Sequence, residues 1–238
     1  MPLTEADGIR PIAMLNALRV SINRVSPLWL GCAVAAICFA SSLGIFENDS
    51  SVTPGQFAGH ADFNPANTEY SLWGAGGEIG GKADGFHYLW KRATSDVTLN
   101  ADARFTGTGS TGRSQAALMI RQSLDPEAAY AAAVVYGDGR SAAQYRVDKG
   151  ATTRTSDFPA YANMAGTVHL SIRRRGDSFT IAVGRVGKMG GSIPTSAPVT
   201  VTMNGPVYVG LAFASPDDTQ QRLAAVFSNV TLQGPTIE

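Results

Sequence analysis

Six residues on or beside apolar, strand-like segments carry side chains suited to recognising a polar ligand. Aromatic rings can pack against the apolar face of a ring-shaped ligand, whereas imidazole, guanidinium and amide groups can exchange hydrogen bonds with its hydroxyls. The candidate ligand-binding residues are Trp73, His87, Arg121, Tyr136, Gln144 and Arg146.

Each candidate also has a structural explanation. Aromatic side chains on strands commonly pack in a core, which applies to Trp73 and Tyr136. An arginine inside a strand, such as Arg121 or Arg146, either lies on a solvated face or pairs with an acid. The sequence leaves both explanations open.

Glycosidic hydrolysis would need two carboxyl groups flanking one bond. No strand-like segment carries Glu-x-Asp-x-x-Glu, the pattern that would place carboxylates side by side in a cleft. The aspartates lie mostly at turn positions, which turn geometry alone explains. The pattern disfavours a carboxylate-pair enzyme, and a glycosidase or lyase would have to use loop carboxylates such as Asp84 or Glu78.

Other catalytic and metal chemistry has little support in the sequence. Both cysteines, Cys32 and Cys38, lie in the apolar N-terminal run, so the body has neither a thiolate ligand nor a disulfide. The three histidines are isolated, and neither HExxH nor GxSxG occurs, so we expect no catalytic residues, no zinc site and no cofactor. The sequence leaves open whether calcium binds in an acidic turn such as Asp217-Asp218. A Ser-His-Asp triad has no local signature, because its members need not be close in the chain.

The segment Gly107-Thr-Gly-Ser-Thr-Gly matches the GxGxxG pattern of dinucleotide sites. Such a site needs a helix directly after the glycines, to hold the pyrophosphate at its N-terminus. Here Arg113–Ser123 alternates like a strand. We therefore interpret the segment as a hairpin loop.

Alternating polar and apolar residues predict antiparallel strands that are buried on one side. Strands are expected at about 69–74, 85–92, 96–106, 115–122, 129–136, 142–148, 151–155, 167–175, 178–186, 199–203, 206–214 and 222–232. The glycines around Asp138 and the pair Asn204-Gly205 are strong hairpin signals. Ala128–Val135 has helical composition, but Pro126 and Gly137 flank it and favour a buried strand. The fold class is therefore all-β, a two-sheet antiparallel jelly-roll sandwich.

An apolar run without charges, Leu28–Phe46, precedes the body. Arg19 and Arg24 precede this run, which places the N-terminus in the cytoplasm and the body outside, periplasmic or secreted. The run can be a cleaved signal peptide or a retained single-pass anchor, and translation can start at Met1 or Met14. Residues 1–46 are accordingly a leader helix, 47–68 a linker with one edge strand near 56–58, and 69–234 the sandwich.

The charge balance argues against nucleic acid as a partner. Lys and Arg total 19, as do Asp and Glu. Removal of the leader leaves 16 basic and 17 acidic residues. A body with this near-neutral charge has no excess of positive charge to attract the phosphates of a nucleic acid.

Several segments together resemble one known family. They include Tyr70-Ser-Leu-Trp-Gly-Ala-Gly-Gly, Asp84-Gly-Phe-His-Tyr-Leu-Trp, Ala117-Leu-Met-Ile-Arg-Gln, Tyr136-Gly-Asp-Gly and Val207-Tyr-Val-Gly-Leu-Ala-Phe. They are similar to concanavalin A-like (laminin-G-like) lectin and glucanase sandwich domains of secreted bacterial proteins. Such domains are also fused to Tol-biopolymer-transporter-like propellers and to glycoside hydrolases. The resemblance implies a jelly roll whose concave sheet or rim loops bind carbohydrate.

The sequence therefore favours an exported, non-catalytic module that binds carbohydrate at the cell envelope. Two alternatives remain open: a structural envelope protein that binds another protein, and a glycosidase or lyase on the same fold. Membrane contact is expected only through residues 28–46, and only if the leader is retained.

Overall fold

Two stacked antiparallel sheets of seven strands each form the described part of the chain. The computed structural model describes residues 42–53, 57–75, 77–158, 166–186, 194–216 and 222–234. None of these stretches contains a helix long and apolar enough to span a bilayer. Residues 1–41 of the leader and the acidic turn Asp217-Asp218 lie outside the described residues.

The strand bounds are as follows. The first sheet has the order β1-β4-β13-β6-β7-β8-β9 and the second the order β12-β11-β10-β5-β14-β3-β2. The strands are β1 Asn48–Val52, β2 Phe57–Asn64, β3 Glu69–Ala75, β4 Phe86–Ala93, β5 Val97–Gly107, β6 Gln115–Arg121, β7 Tyr130–Tyr136, β8 Ser141–Arg146, β9 Arg154–Asp157, β10 Val168–Arg175, β11 Ser178–Arg185, β12 Val199–Thr200, β13 Val207–Ala214 and β14 Leu223–Gln233. The all-β, two-sheet sandwich expected from the alternation is confirmed.

The polar segment expected to be a linker is part of the sandwich, which corrects the boundary drawn at residue 69. β1 and β2 are edge strands, one in each sheet. Their composition is polar because the side chains of an edge strand are less buried than those of a central strand. The sandwich therefore includes the chain from Asn48 onward rather than from Glu69.

Two connections expected as hairpins run between the sheets instead. Residues 108–114 leave β5 in the second sheet and enter β6 in the first, and Asn204-Gly205 precedes β13 although β12 pairs with β11. By contrast, β7 and β8 form the expected hairpin around Asp138. Turn chemistry predicts that the chain reverses, but it does not determine which sheet receives the next strand.

The core between the sheets contains the inward side chains of both. In β10, buried and less buried residues alternate, as expected for a sheet with one solvated face. β6 and β7 differ, because all of their residues are buried. A second apolar cluster explains this, since Ile79 from the β3–β4 loop packs there with Tyr88, Met119 and Tyr130 on the outer face of the first sheet.

Candidate functional site

Arg121 and Arg146 meet one carboxylate, that of Asp84, beneath the β3–β4 loop. Arg146 Nη2 lies 2.7 Å from Asp84 Oδ1 and Arg146 Nη1 lies 2.9 Å from Oδ2. Arg121 Nη1 lies 3.4 Å from the same Oδ2. The side chains of all three residues are inaccessible to solvent. Of the two explanations open for these arginines, the structure shows the ion pair with an acid.

Backbone carbonyls accept most of the remaining guanidinium N–H groups. Arg146 donates to the carbonyls of Pro126, Ala128 and Gly80. Arg121 donates to the carbonyls of Ser123 and Asp125. Burial lowers the pKa of Arg121, and the Asp84 carboxylate opposes that shift. The two arginines therefore bind the β3–β4 loop and the β6–β7 loop to strands β6 and β8, and their N–H groups are largely engaged inside the protein.

Four of the six candidate residues share this outer face of the first sheet. Gln144 lies on β8, the strand that also carries Arg146, and its Nε2 donates to the hydroxyl of Tyr136 on β7 at 2.8 Å. Gln144 is buried, and so is most of Tyr136. Arg121, Gln144, Arg146 and Tyr136 are thus brought together, but beneath the loop rather than on an open surface. Their role in ligand binding stays a prediction.

Trp73 and His87 lie elsewhere, at the side of the sandwich where the edge strands β1 and β2 meet. The Trp73 ring stacks on the exposed His60 ring, with a centroid distance of 4.6 Å and an interplanar angle of 6°. His87 is buried, with Asp49 on one ring nitrogen and Ser51 on the other. We call Asp49, Ser51, Gly59, His60, Trp73 and His87 the edge cluster.

An open cavity of about 350 Å³ lies at one end of the sandwich, between the second sheet and the β7–β8 hairpin. We call it the hairpin cavity. Its lining combines apolar side chains from the core with polar groups at the rim. The lining residues are Ala103, Phe105, Gly107, Ser110, Val135, Tyr136, Gly137, Asp138, Gly139, Gly166 and Leu223. A cavity of this size is within the range of small-ligand sites.

The glycine-rich segment after β5 lines the hairpin cavity through Gly107 and Ser110. Because it joins a strand of the second sheet to a strand of the first, its interpretation as a hairpin loop is wrong. Ser110 Oγ donates to the Gly137 carbonyl at 3.1 Å, and Gly137 N donates to the Ser114 carbonyl at 2.8 Å. A Cβ atom at Gly137 would lie 2.3 Å from Ser110 Oγ and from the Thr111 carbonyl oxygen. This close approach requires glycine at position 137.

A charged pair lies at the rim of the cavity. Arg140 Nε donates to Asp138 Oδ2 at 2.8 Å, and the Arg140 guanidinium carbon lies 4.6 Å from the centroid of the Tyr136 ring. Burial acts to raise the pKa of Asp138, but hydrogen bonds from the Arg140 side chain and backbone lower it overall, so the carboxylate is ionised at neutral pH. Burial raises the pKa of Tyr136, which keeps its hydroxyl neutral. The rim can thus accept and donate hydrogen bonds beside an apolar interior.

Comparison with known proteins identifies the fold. No protein-family model and no curated protein sequence matches the chain. A protein of unknown function from Saccharomyces cerevisiae is similar in structure, with a TM-score of 0.56, 16% identity and coverage of 79% of this chain and 96% of that one. The carbohydrate-binding module CBM66 from Bacillus subtilis has a TM-score of 0.50, 17% identity and coverage of 80% and 98%. The alginate lyase A1-II′ of polysaccharide lyase family 7 has a TM-score of 0.47, 11% identity and coverage of 74% and 84%.

The fold is the concanavalin A-like jelly roll. The resemblance drawn from the sequence segments is confirmed at the level of the fold. At these identities the likeness shows architecture alone, because one fold supports many functions.

Sequence reasoning missed most of the residues around the hairpin cavity of this jelly roll. In the sequence, turn geometry alone explains Asp138, and no pattern distinguishes Phe105 or Ser110 as binding residues. One signal was available, because the glycines of residues 107–112 permit the close backbone approach that forms the wall. The packing of this segment against the β7–β8 hairpin is a long-range contact, which sequence spacing does not encode.

No group of three His, Cys, Asp or Glu side chains that could hold a metal occurs within the described ranges. The carboxylate of Asp84, the loop acid considered for catalysis, is engaged by the two arginines. Glu78, the second loop acid considered for catalysis, lies on the surface and forms an ion pair with Arg113.

Proposed function

We propose that the protein is an exported module that binds carbohydrate in the hairpin cavity. The observation that carries the proposal is the cavity itself, an opening of about 350 Å³ with the aromatic Phe105 in its lining and an ionised carboxylate at its rim. Phe105 supplies apolar ring surface, and Asp138 and Ser110 supply hydrogen-bonding groups. Sugar recognition uses this combination of ring contact and directed hydrogen bonds.

The outer face of the first sheet is a less suitable binding site than the hairpin cavity, because the β3–β4 loop covers it. Arg121, Arg146 and Gln144 would have to exchange internal hydrogen bonds for bonds to a sugar, and the β3–β4 loop would have to move. Removal of one partner from a buried ion pair costs about 3–5 kcal/mol. The hairpin cavity needs no such rearrangement, because it is already open.

The likeness to CBM66, a carbohydrate-binding module, is compatible with this function. Among the described residues that line the cavity, Asp138 is the single carboxylate. Glycosidic hydrolysis uses two carboxyl groups, one on each side of the bond that is cleaved. We therefore propose that the cavity binds carbohydrate without cleaving it. Export rests on the apolar run 28–46 and on the arginines that precede it.

A glycan array probed with the full chain in detergent tests the proposal. We expect selective binding that Asp138→Asn weakens at least tenfold, because a neutral amide accepts weaker hydrogen bonds from sugar hydroxyls than a carboxylate does. The substitution keeps an oxygen that can accept the Arg140 backbone N–H, so the turn is preserved. Asp148→Asn, an exposed change beyond the other end of β8, is the matched control. A silent array would contradict the proposal and favour a protein partner.

A further inference from the structure

The edge cluster contains a continuous chain of hydrogen-bonding groups that the proposed carbohydrate site does not use. His87 Nε2 lies 3.0 Å from Asp49 Oδ2, and His87 Nδ1 lies 3.3 Å from Ser51 Oγ. The Gly59 backbone N–H donates to the same Ser51 oxygen at 3.0 Å. A carboxylate, an imidazole and a hydroxyl are therefore connected in series.

The partners determine which group donates at each step. An ionised Asp49 can only accept, so the proton of a neutral His87 ring lies on Nε2 and the lone pair on Nδ1. Because Ser51 Oγ already accepts the Gly59 N–H, its own proton is free to point at His87 Nδ1. This is the arrangement that activates a serine hydroxyl, with the two ring nitrogens exchanged relative to the serine protease template.

The surroundings keep the imidazole neutral and fixed. Burial lowers the pKa of His87, the nearby His60 adds to that effect, and Asp49 opposes it. The ring packs against the backbone of β2, since a Cβ atom at Gly59 would lie 2.4 Å from the His87 ring. A neutral, immobilised imidazole is the state that a general base requires at neutral pH.

The chain of groups reaches the protein surface beside an aromatic pair. Ser51 lies on the edge strand β1 and is only half-buried. His60 directly follows Gly59, is exposed, and stacks on the half-buried Trp73 ring. A small acyl group could approach Ser51 from this side, while the alcohol portion of the same molecule packs against the stacked rings.

We propose that the edge cluster hydrolyses small carboxylic esters, with Ser51 as nucleophile, His87 as general base and Asp49 as the positioning residue. Ser51 Oγ bonds to the ester carbonyl carbon as the bond to the alkoxy oxygen breaks. The serine proton passes to His87 Nδ1 and then to the departing alkoxide, which leaves as the alcohol. In the second step, His87 takes a proton from water as the water oxygen bonds to the acyl carbon, and it returns that proton to Ser51 Oγ as the acyl–serine bond breaks. This step releases the carboxylic acid and restores the serine hydroxyl.

A fluorophosphonate probe tests this inference on the unmodified full chain. We expect a single adduct by intact mass, mapped to Ser51 by peptide sequencing, and hydrolysis of p-nitrophenyl acetate above the buffer rate. Ser51→Ala should abolish both, and His87→Gln should lower both about 10²-fold or more. Ser50→Ala is the matched control, because Ser50 is the adjacent residue but bonds to Trp90 Nε1 instead.

The pH profile separates a positioning role of Asp49 from a merely structural one. The labelling rate should fall as pH drops through the pKa of His87, which burial places below its ordinary value of 6.5. Asp49→Asn removes the effect that raises this pKa, so the midpoint should move to lower pH and the maximal rate should drop. A folded wild-type chain that gives no adduct at Ser51, or equal labelling of Ser51→Ala, would overturn the inference. Neither result bears on the hairpin cavity, whose glycan binding is measured separately.

Discussion

At the scale of single residues, Asp84 shows why the same side-chain types can serve a ligand or the fold. The carboxylate lies between two guanidiniums, and none of the three side chains is exposed to solvent. Two buried positive charges around one negative charge are tolerated because backbone carbonyls accept many of the remaining N–H groups. The network therefore depends on the single carboxylate more than on either arginine.

Asp84→Asn should destabilise the protein by about 3–5 kcal/mol, because it leaves buried guanidinium charge without a counter-charge. The free energy of unfolding, from urea titration followed by tryptophan fluorescence, measures this loss. Glu78→Gln is the control in the same loop, since its pair with Arg113 is exposed and should contribute less than about 1 kcal/mol. Equal losses in the two variants would show that the buried network does not stabilise the fold.

The sequence predicts part of this residue-level picture. It indicates that Arg121 either faces solvent or meets an acid, and the structure shows the acid. It does not identify Asp84 as that acid, because the pairing joins a loop to two strands at sequence separations of 37 and 62 residues. The edge cluster has no signature for the same reason, since Ser51 and His87 are 36 residues apart.

At the scale of elements, the β3–β4 loop determines which face of the first sheet is accessible. The Gln115 side chain binds the loop at Ile79, accepting the Ile79 N–H at 2.7 Å and donating to its carbonyl at 2.9 Å. Gln122 makes the same pair of contacts with Asn204, with distances of 2.7 Å and 2.7 Å, but at an exposed position. The chain thus contains a buried and an exposed example of one interaction.

Gln115→Ala should cost about 1–3 kcal/mol more than Gln122→Ala, because water can replace the lost partners only at the exposed site. Amide hydrogen exchange should also accelerate at Ile79 in the first variant, and the free energy of unfolding measured by urea supplies the stability difference. Equal effects of the two substitutions would mean that the β3–β4 loop is not held by Gln115.

Strand alternation predicts most elements, including the buried strand β7, whose helical composition is misleading. It fails for β1 and for most of β2, because the polar side chains of edge strands weaken the two-residue period. It also overestimates the strand expected at 199–203, of which Val199–Thr200 alone forms β12. The two connections between sheets could not be predicted either, since local turn signals do not distinguish a hairpin from a crossing.

At the scale of the whole molecule, the sandwich separates three polar environments. The outer face of the first sheet is covered by its own loop, the edge cluster lies where β1 meets β2, and the hairpin cavity opens between the sheets at one end. The alternating pattern predicts the two-sheet architecture and the resemblance predicts the jelly roll. Neither indicates which of the three environments is open to a ligand, because that depends on loop packing.

Calorimetric titration with the glycan that the array selects is the most direct test of carbohydrate recognition in the hairpin cavity. The comparison is between the unmodified full chain and Ser110→Trp, an exposed loop position whose larger side chain should fill the cavity. Ser95→Trp, an exposed loop position before β5 and at its opposite end, is the control. We expect Ser110→Trp to abolish binding and Ser95→Trp to leave it unchanged. Undiminished binding by Ser110→Trp would show that carbohydrate does not bind in the hairpin cavity.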